Sequence, residues 1–421
     1  MKFIIIGITD NPKPWFPPEV LDIIHQGKVF SGGKRHHEIM APFLPEGSDW
    51  INITVPLDDV FDQYDLCFKY LSKYQGVSQS VIVFASGDPL FFGFANTIQR
   101  KMPEAELVVY PTFNSLQMLA HRLVMPYHDM RIVSLTGRPW PEFDKALIER
   151  VGKIGILTDR EHTPAAIAQR MLDYGYTDYQ MFVGEHLGNP ALEKVTTLTL
   201  EEAAHHDFDH PNCVLMELSG EKNRPQRVPF GIPDSEFALL DGREKMITKA
   251  PVRLLTLAAL ELQNRHSFWD IGFCTGSVSI EAKLQFPHLH VTAFEIREEG
   301  RQLMEINSHR FKTPGITSII GDFIEISTEG LTPPDAVFIG GHGGHLKELM
   351  TKAVKELLSG GVIVYNCVAP ESVTDSRIRS DSQQIFEATA RELGLVLEEP
   401  MRVAINDYHP IVILKGKKVI K

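Results

Sequence analysis

Several stretches of this 421-residue sequence place chemically capable residues just beyond an apolar run. In Phe268-Trp269-Asp270-Ile271-Gly272-Phe273-Cys274-Thr275-Gly276-Ser277 the apolar run takes in Asp270, turns through glycines and opens a helical stretch that reaches Glu281. Gly272, Gly276 and the small Thr275 let the backbone curl around a ligand. Ser277 is placed to cap the helix, whose N-terminal dipole favours polar or anionic groups. Cys274 stands where a G-x-G pattern carries its second glycine. Glu295 ends the next apolar run, about 20 residues on, where a carboxylate accepts hydrogen bonds from two ribose hydroxyls. Asp322 and Phe323 offer an acceptor and a ring for adenine, and Gly340-Gly341-His342-Gly343-Gly344-His345 permits close backbone approach to a flat ligand.

The first half of the chain carries a different set. Lys34 and Arg35 follow Ser31-Gly32-Gly33, and a guanidinium there binds a carboxylate bidentately. Ala85-Ser86-Gly87-Asp88-Pro89-Leu90-Phe91-Phe92-Gly93 follows a strongly apolar run, with Gly and Pro shaping a loop whose backbone can face a ligand. Pro111-Thr112-Phe113-Asn114-Ser115 and Ser134-Leu135-Thr136-Gly137-Arg138 also close apolar runs.

Such residues need strands to hold them in a row. Short apolar strands alternate with helical stretches from Met1 to about Leu218, an α/β texture. Periodicity is lost between Ser219 and Asp234, where proline, glycine and charge accumulate, which marks a linker. Beyond it, strands are expected at 267–271, 290–294, 317–320, 336–339 and 361–365, in a doubly wound sheet whose ligand sits at the carboxyl ends. The runs 396–405 and 410–414 have no helix between them and predict a terminal antiparallel pair. The acid after the second of these strands suits the adenosyl ribose of a nicotinamide dinucleotide and of S-adenosylmethionine alike; the terminal antiparallel pair favours the latter. His342 and His345 form an i, i+3 pair without a third ligand, so no metal is expected.

Composition bounds the rest. The length predicts two domains, and 43% hydrophobic with 23% charged residues is ordinary globular composition. No apolar run approaches the roughly 18 residues of a membrane span, and the run from Phe3 to Ile8 is too short for a signal-peptide core. Cys67, Cys213, Cys274 and Cys367 lie far apart, which fits a reducing cytoplasm. A formal net charge of -12 argues against nucleic acid as a partner and requires any anion site to be a local basic pocket.

Gly231-Ile232-Pro233-Asp234, Met246-Ile247-Thr248-Lys249-Ala250-Pro251-Val252-Arg253, the glycine turn and Asp335-Ala336-Val337-Phe338-Ile339-Gly340-Gly341 form an ordered set. Together they resemble the class I S-adenosylmethionine methyltransferase half of the decarboxylating precorrin-6Y methyltransferase family of cobalamin biosynthesis. The markers of residues 1–218, with Leu157-Thr158-Asp159, His162-Thr163-Pro164-Ala165-Ala166 and Gly184-Glu185-His186-Leu187-Gly188, resemble the tetrapyrrole methylases (class III methyltransferases) that form that family's other half.

The resemblance implies a two-subdomain tetrapyrrole methylase fold over 1–218, a linker over 219–234 and a Rossmann-like class I domain over 235–421. It implies one S-adenosylmethionine site per domain. Gly7, Gly87, Asp88, Pro89, Ser115, Thr158 and Ala165 would line the first. Thr248, Asp270, Gly272, Thr275, Gly276, Glu295, Asp322, Phe323, Gly340 and Gly341 would line the second. Lys249, Arg253 and His342 are the implied catalytic candidates, and Lys34, Arg35 and Arg138 the partners of an anionic tetrapyrrole. The implied reaction is C-methylation at C5 and C15 with loss of an acetate carboxyl, by a cytoplasmic homo-oligomer that uses neither nucleic acid nor membrane. The substrate is metal-free or cobalt-bearing. The family's glycine-rich first loop is Gly7-Ile8-Thr9-Asp10-Asn11 here, and the usual His before Gly-Arg is Thr136. These departures leave open an alternative in which the C-terminal domain methylates another small molecule and the N-terminal domain only binds.

Overall fold

The computed structural model describes residues 1–71, 80–219, 229–368, 380–405 and 409–419. The chain divides into two compact units, one of residues 1–138, 152–169 and 178–219, the other of residues 139–151, 170–177 and 220–421. Most of the expected linker, residues 220–228, lies outside the described residues.

The first unit begins with β1 (Lys2–Ile8), β2 (Val29–Gly32), β3 (Asp49–Asn52), β4 (Ser80–Ser86) and β5 (Glu106–Tyr110). They form a parallel sheet in the order β3-β2-β4-β1-β5. β1 and β4 read as near-continuous β-branched and aromatic runs because both faces are covered. Phe3, Ile5, Val81 and Val83 pack in one core, while Ile6, Ile8, Ile82 and Phe84 pack in another with Val20 and Ile24. A second sheet follows, from β6 (Arg131–Ser134), β7 (Lys153–Leu157), β8 (Tyr179–Glu185), β9 (Lys194–Leu198) and β10 (Asn212–Leu218), in the order β6-β7-β10-β8-β9. Here only β6 and β7 run parallel; β10 is antiparallel to both its neighbours.

The second unit holds β11 (Ser267–Ile271), β12 (His290–Glu295), β13 (Ile316–Ile320), β14 (Ala336–Ile339) and β15 (Val362–Val368), parallel in the order β13-β12-β11-β14-β15. The period of two is plain in its cores. Trp269, Ile271, Val337, Ile339 and Ile363 face one layer, while Phe268, Ala336, Phe338, Val362 and Val364 face the other. The expected terminal pair is in fact three strands. Glu398-Glu399-Pro400 interrupts the first apolar run, leaving β16 (Leu395–Leu397) and β17 (Met401–Val403), both antiparallel to β18 (Ile411–Lys418), which is antiparallel to β15. A proline lacks the N–H a ladder needs, so the run divides there.

Ser277 does not cap the helix Ser277–Gln285. Gly276 is the N-cap, in a left-handed conformation with φ 75°, and Ser277 is buried in the first turn. Pro251, in the first turn of the helix Ala250–Leu260, forfeits no intrahelical bond. Among the described residues no helix is long and apolar enough to cross a membrane.

Candidate active site

At the carboxyl ends of β11–β14 lies a cavity of about 460 Å³, lined by Asp270, Gly272, Thr275, Glu295, Asp322, Phe323, Gly340, Gly341, His342 and Thr248 among others. Its floor is backbone. A Cβ on Gly272 would sit 2.8 Å from the Gly341 nitrogen, and one on Gly340 would sit 3.0 Å from the Gly272 oxygen, so the turns after β11 and β14 touch because neither carries a side chain there. Asp270 Oδ2 accepts from Ser279 Oγ at 2.6 Å, whereas Asp270 Oδ1 and Thr275 Oγ1 are buried with no partner among the described residues. Burial, opposed by the Ser279 bond and helped by Glu295, pushes the Asp270 carboxyl up to about 7. Glu295 accepts from the Cys274 N–H at 2.8 Å and from Arg297, which pins the strained residue of the turn, Cys274, at φ 49°. Burial and the neighbouring Glu295 push the Cys274 thiol up to about 11, so it is protonated and inert. His342 lies in the cavity wall, its Nδ1 accepting from the Gly344 N–H at 3.1 Å, and burial lowers its pKa. The neutral ring therefore carries its proton on Nε2.

Other sequence candidates sit elsewhere. The Arg253 side chain is fully buried and commits its guanidinium to Glu281, to Asp234 at 3.3 Å, and to the carbonyls of Ile232 and of Thr248, the last at 2.7 Å. It is no substrate partner. It stitches the Gly-Ile-Pro-Asp and Ile-Thr-Lys segments to the helix bearing Glu281, and so fixes Thr248 in the cavity wall. Lys249 donates to the Glu244 carbonyl at 2.8 Å, lies 3.6 Å from Asp234, and lines a neighbouring cavity that shares Thr248 with this one. The Phe323 ring is 4% exposed and makes T-shaped contacts with Phe294 and Trp269, so most of its surface is committed to the core. Gly276 shapes the turn without lining the cavity.

In the first unit a cavity of about 410 Å³ is lined from both sheets, by Thr9, Asp10, Arg35, His36, Ser86, Gly87, Asn114, Ser115 and Asn212 among others. Its polar groups bond one another. Arg35 reaches Asp10 at 3.1 Å and Ser86 Oγ at 3.0 Å, and Asp10 also takes His186 Nδ1 at 3.0 Å. Burial, then Arg35, lowers His36 to about 4. Its Nδ1 accepts from Gly33, so Nε2 donates to Ser86 Oγ at 2.9 Å. Gly7 packs where a Cβ would lie 2.0 Å from the Gly87 oxygen. Thr158 Oγ1 is held by Asn212 at 2.7 Å. Asp88, Pro89, Ala165 and the exposed Lys34 are not in the lining. Arg138 bonds Ser134 Oγ at 2.6 Å and lies 5.1 Å from the Phe92 ring at the rim.

A family model described as tetrapyrrole (corrin/porphyrin) methylases matches residues 2–204, and one described as a precorrin methyltransferase domain matches residues 241–384. Precorrin-6Y C(5,15)-methyltransferase (decarboxylating) of Sinorhizobium sp. is 30% identical over 372 residues, 87% of this chain and 84% of that protein. The chain belongs to this precorrin-6Y methyltransferase family. It is accordingly an S-adenosylmethionine-dependent methyltransferase. Cobalt-precorrin-6B C(15)-methyltransferase (decarboxylating) of Salmonella typhimurium is 40% identical over 134 residues, 32% of this chain and 68% of that protein. The crystal structure of precorrin-6y C5,15-methyltransferase from Geobacter metallireducens GS-15 is 32% identical and covers 46% of this chain and 100% of its own, with a TM-score of 0.39.

Within this family chain, Asp10, His36, Ser86, His186 and Asn212 escaped sequence reasoning, as did Lys245, Arg297 and Asn366 in the second unit. Asp10, Ser86 and His186 stand inside motifs the sequence marks without assigning them a role, and Asn366 is the polar break in the apolar strand Val-Ile-Val-Tyr-Asn-Cys-Val.

Proposed function

We propose that this chain methylates a precorrin at C5 and C15 and removes an acetate carboxyl, with residues 1–218 and 235–421 acting as two methyltransferase domains in the cytoplasm. The C5 step belongs to the first domain, and the C15 step with decarboxylation to the second. The observation that carries the reading is the second unit's cavity: a backbone floor with Asp270 Oδ1 and Thr275 Oγ1 buried and without partners among the described residues, edged by Glu295 and Asp322. These groups accept or donate hydrogen bonds to ribose hydroxyls and an amino group, and their negative charge attracts a sulfonium. A nicotinamide dinucleotide adds a pyrophosphate, whose charge calls for a cation, whereas Arg297 in this cavity is already bonded to Glu295. The residues present therefore fit S-adenosylmethionine better.

S-adenosylmethionine, when bound, supplies an electrophilic methyl group. Asp270, Thr275 and the Gly272–Gly340 floor would orient it, and Thr248, held by Arg253, fixes the wall beside it. Methyl displacement disperses charge, so alignment and exclusion of water carry most of the rate, with no strong acid needed. Decarboxylation leaves an electron pair that the conjugated macrocycle accepts, and the protein's part is to hold the ring. In the first domain, Arg35 in the cavity lining and Arg138 beside Phe92 are the carboxylate partners, and the two cavities support one site per domain.

Incubating the chain with metal-free and cobalt-bearing forms of the intermediate, and weighing the product, tests this. Two added methyls and one lost carbon dioxide are expected; a single methyl with carbon dioxide lost would favour a second reading, in which the first domain only binds. That second reading draws on Asp10, whose carboxylate sits in the cavity wall and already occupies Arg35.

A further inference from the structure

A second cavity of about 460 Å³ in the C-terminal unit shares Lys245, Met246, Thr248, Phe338 and Gly340 with the first. Its other walls come from the segment leading into the helix Ala250–Leu260, from that helix, and from β15, β17 and β18 with their flanking residues; they are largely apolar, with Lys249, Asn366 and His409 as the polar exceptions. Two compartments that meet at one wall suit a reaction that passes a group from one ligand to another.

The orientation of Asn366 is set by its neighbours. Thr256 Oγ1 spends its only hydrogen on the Val252 carbonyl at 2.8 Å, so it must accept from Asn366 Nδ2, also at 2.8 Å. That turns Asn366 Oδ1 away from Thr256, and Oδ1 is buried with no partner among the described residues. A buried acceptor left unmade is costly, and it selects a ligand that brings a donor. At neutral pH the carboxylates of a precorrin only accept, and its donors are the N–H groups of the ring. Lys245, exposed and lining both cavities, supplies the complementary charge for a peripheral carboxylate.

We propose that the second cavity is the acceptor compartment of the C-terminal unit, in which Asn366 Oδ1 receives a ring N–H of a reduced tetrapyrrole and Lys245 pairs with one of its carboxylates. This rests on the precorrin reading above. Asn366 is a specificity-determining residue and lies outside the lining of the first cavity. Val368 lines the second cavity and is 57% exposed, so a larger side chain there fills the compartment without entering the core.

The test uses the full chain with Asn366→Leu and, separately, Val368→Trp. S-adenosylhomocysteine affinity is read by calorimetry, precorrin binding by its absorbance, and the C5 and C15 products by mass. Each variant is expected to raise the precorrin KM of the C15 step by about tenfold or more, with S-adenosylhomocysteine affinity held within about twofold and the C5 step unchanged. An unchanged C15 KM in Val368→Trp, or a parallel loss of S-adenosylhomocysteine affinity in both variants, overturns the assignment while leaving the precorrin reading intact. A wild-type chain that binds S-adenosylhomocysteine but neither binds nor converts a precorrin overturns the reading itself, and the assignment with it.

Discussion

In the N-terminal cavity Asp10, Arg35, His36 and Ser86 bond one another, whereas in the C-terminal cavity Asp270 Oδ1 and Thr275 Oγ1 are buried without partners among the described residues. The two regions thus meet the cost of buried polarity in opposite ways. A ligand entering the first must break bonds the protein already makes; a ligand entering the second completes bonds the protein lacks. The difference predicts that the two cavities differ in their affinity for one cofactor, with the C-terminal one binding it more tightly.

The largest effect expected separates two arginines that look alike in sequence. Arg253→Met leaves the buried Glu281 without its cation, holding only the backbone N–H groups of Gly231 and Ile232, and is expected to cost about 3 kcal/mol, read as a lowered unfolding midpoint of the C-terminal unit. Arg35→Met breaks a pair whose arginine side chain is 37% exposed and should cost below about 1 kcal/mol. Equal losses would erase the contrast.

Next in size is a pH effect at Asp270. Its carboxyl stands at about 7 in the folded chain against an ordinary 3.8, so the native state holds the proton more tightly than the unfolded one. The stability it contributes is complete below about pH 4 and is lost as pH rises through about 7. The ionised form is the one a sulfonium prefers, so affinity for S-adenosylmethionine relative to S-adenosylhomocysteine should climb up to about tenfold between about pH 6 and 8. Asp270→Asn should flatten that ratio; a ratio that still climbs places the titration elsewhere.

Much of this was legible in the sequence, and the failures share a cause. Strand ends were readable because a parallel strand buried on both faces is a short apolar run, so Asp270, Glu295 and Gly340 could be placed in one row. What charge does at such a position was not readable. Arg253 and Arg35 are each a cation within a marked motif, and only the fold shows that one faces Glu281 in the core and the other a cavity. Asp10 and His186 are 176 residues apart, and no periodicity links them. Phe323 was placed correctly along the chain, but its ring was claimed by Phe294 and Trp269.

Smaller effects sharpen the comparison further. Cys274→Gly relieves a left-handed backbone and should stabilise the C-terminal unit by about 1 kcal/mol in chemical denaturation, since the N–H to Glu295 is kept. A destabilised variant would mean that the thiol's packing outweighs the strain. Asp10→Asn loosens the N-terminal network and frees Arg35, so the precorrin KM of the C5 step should fall by about threefold, under 1 kcal/mol. A rise instead would give Asp10 a direct part in binding.

The most direct measurement is calorimetric titration of the full chain with S-adenosylhomocysteine. Two binding events per chain are predicted, the tighter one abolished by Asp270→Asn together with Glu295→Ala and the weaker one retained. A single event, or a tighter event that survives both substitutions, would contradict the account.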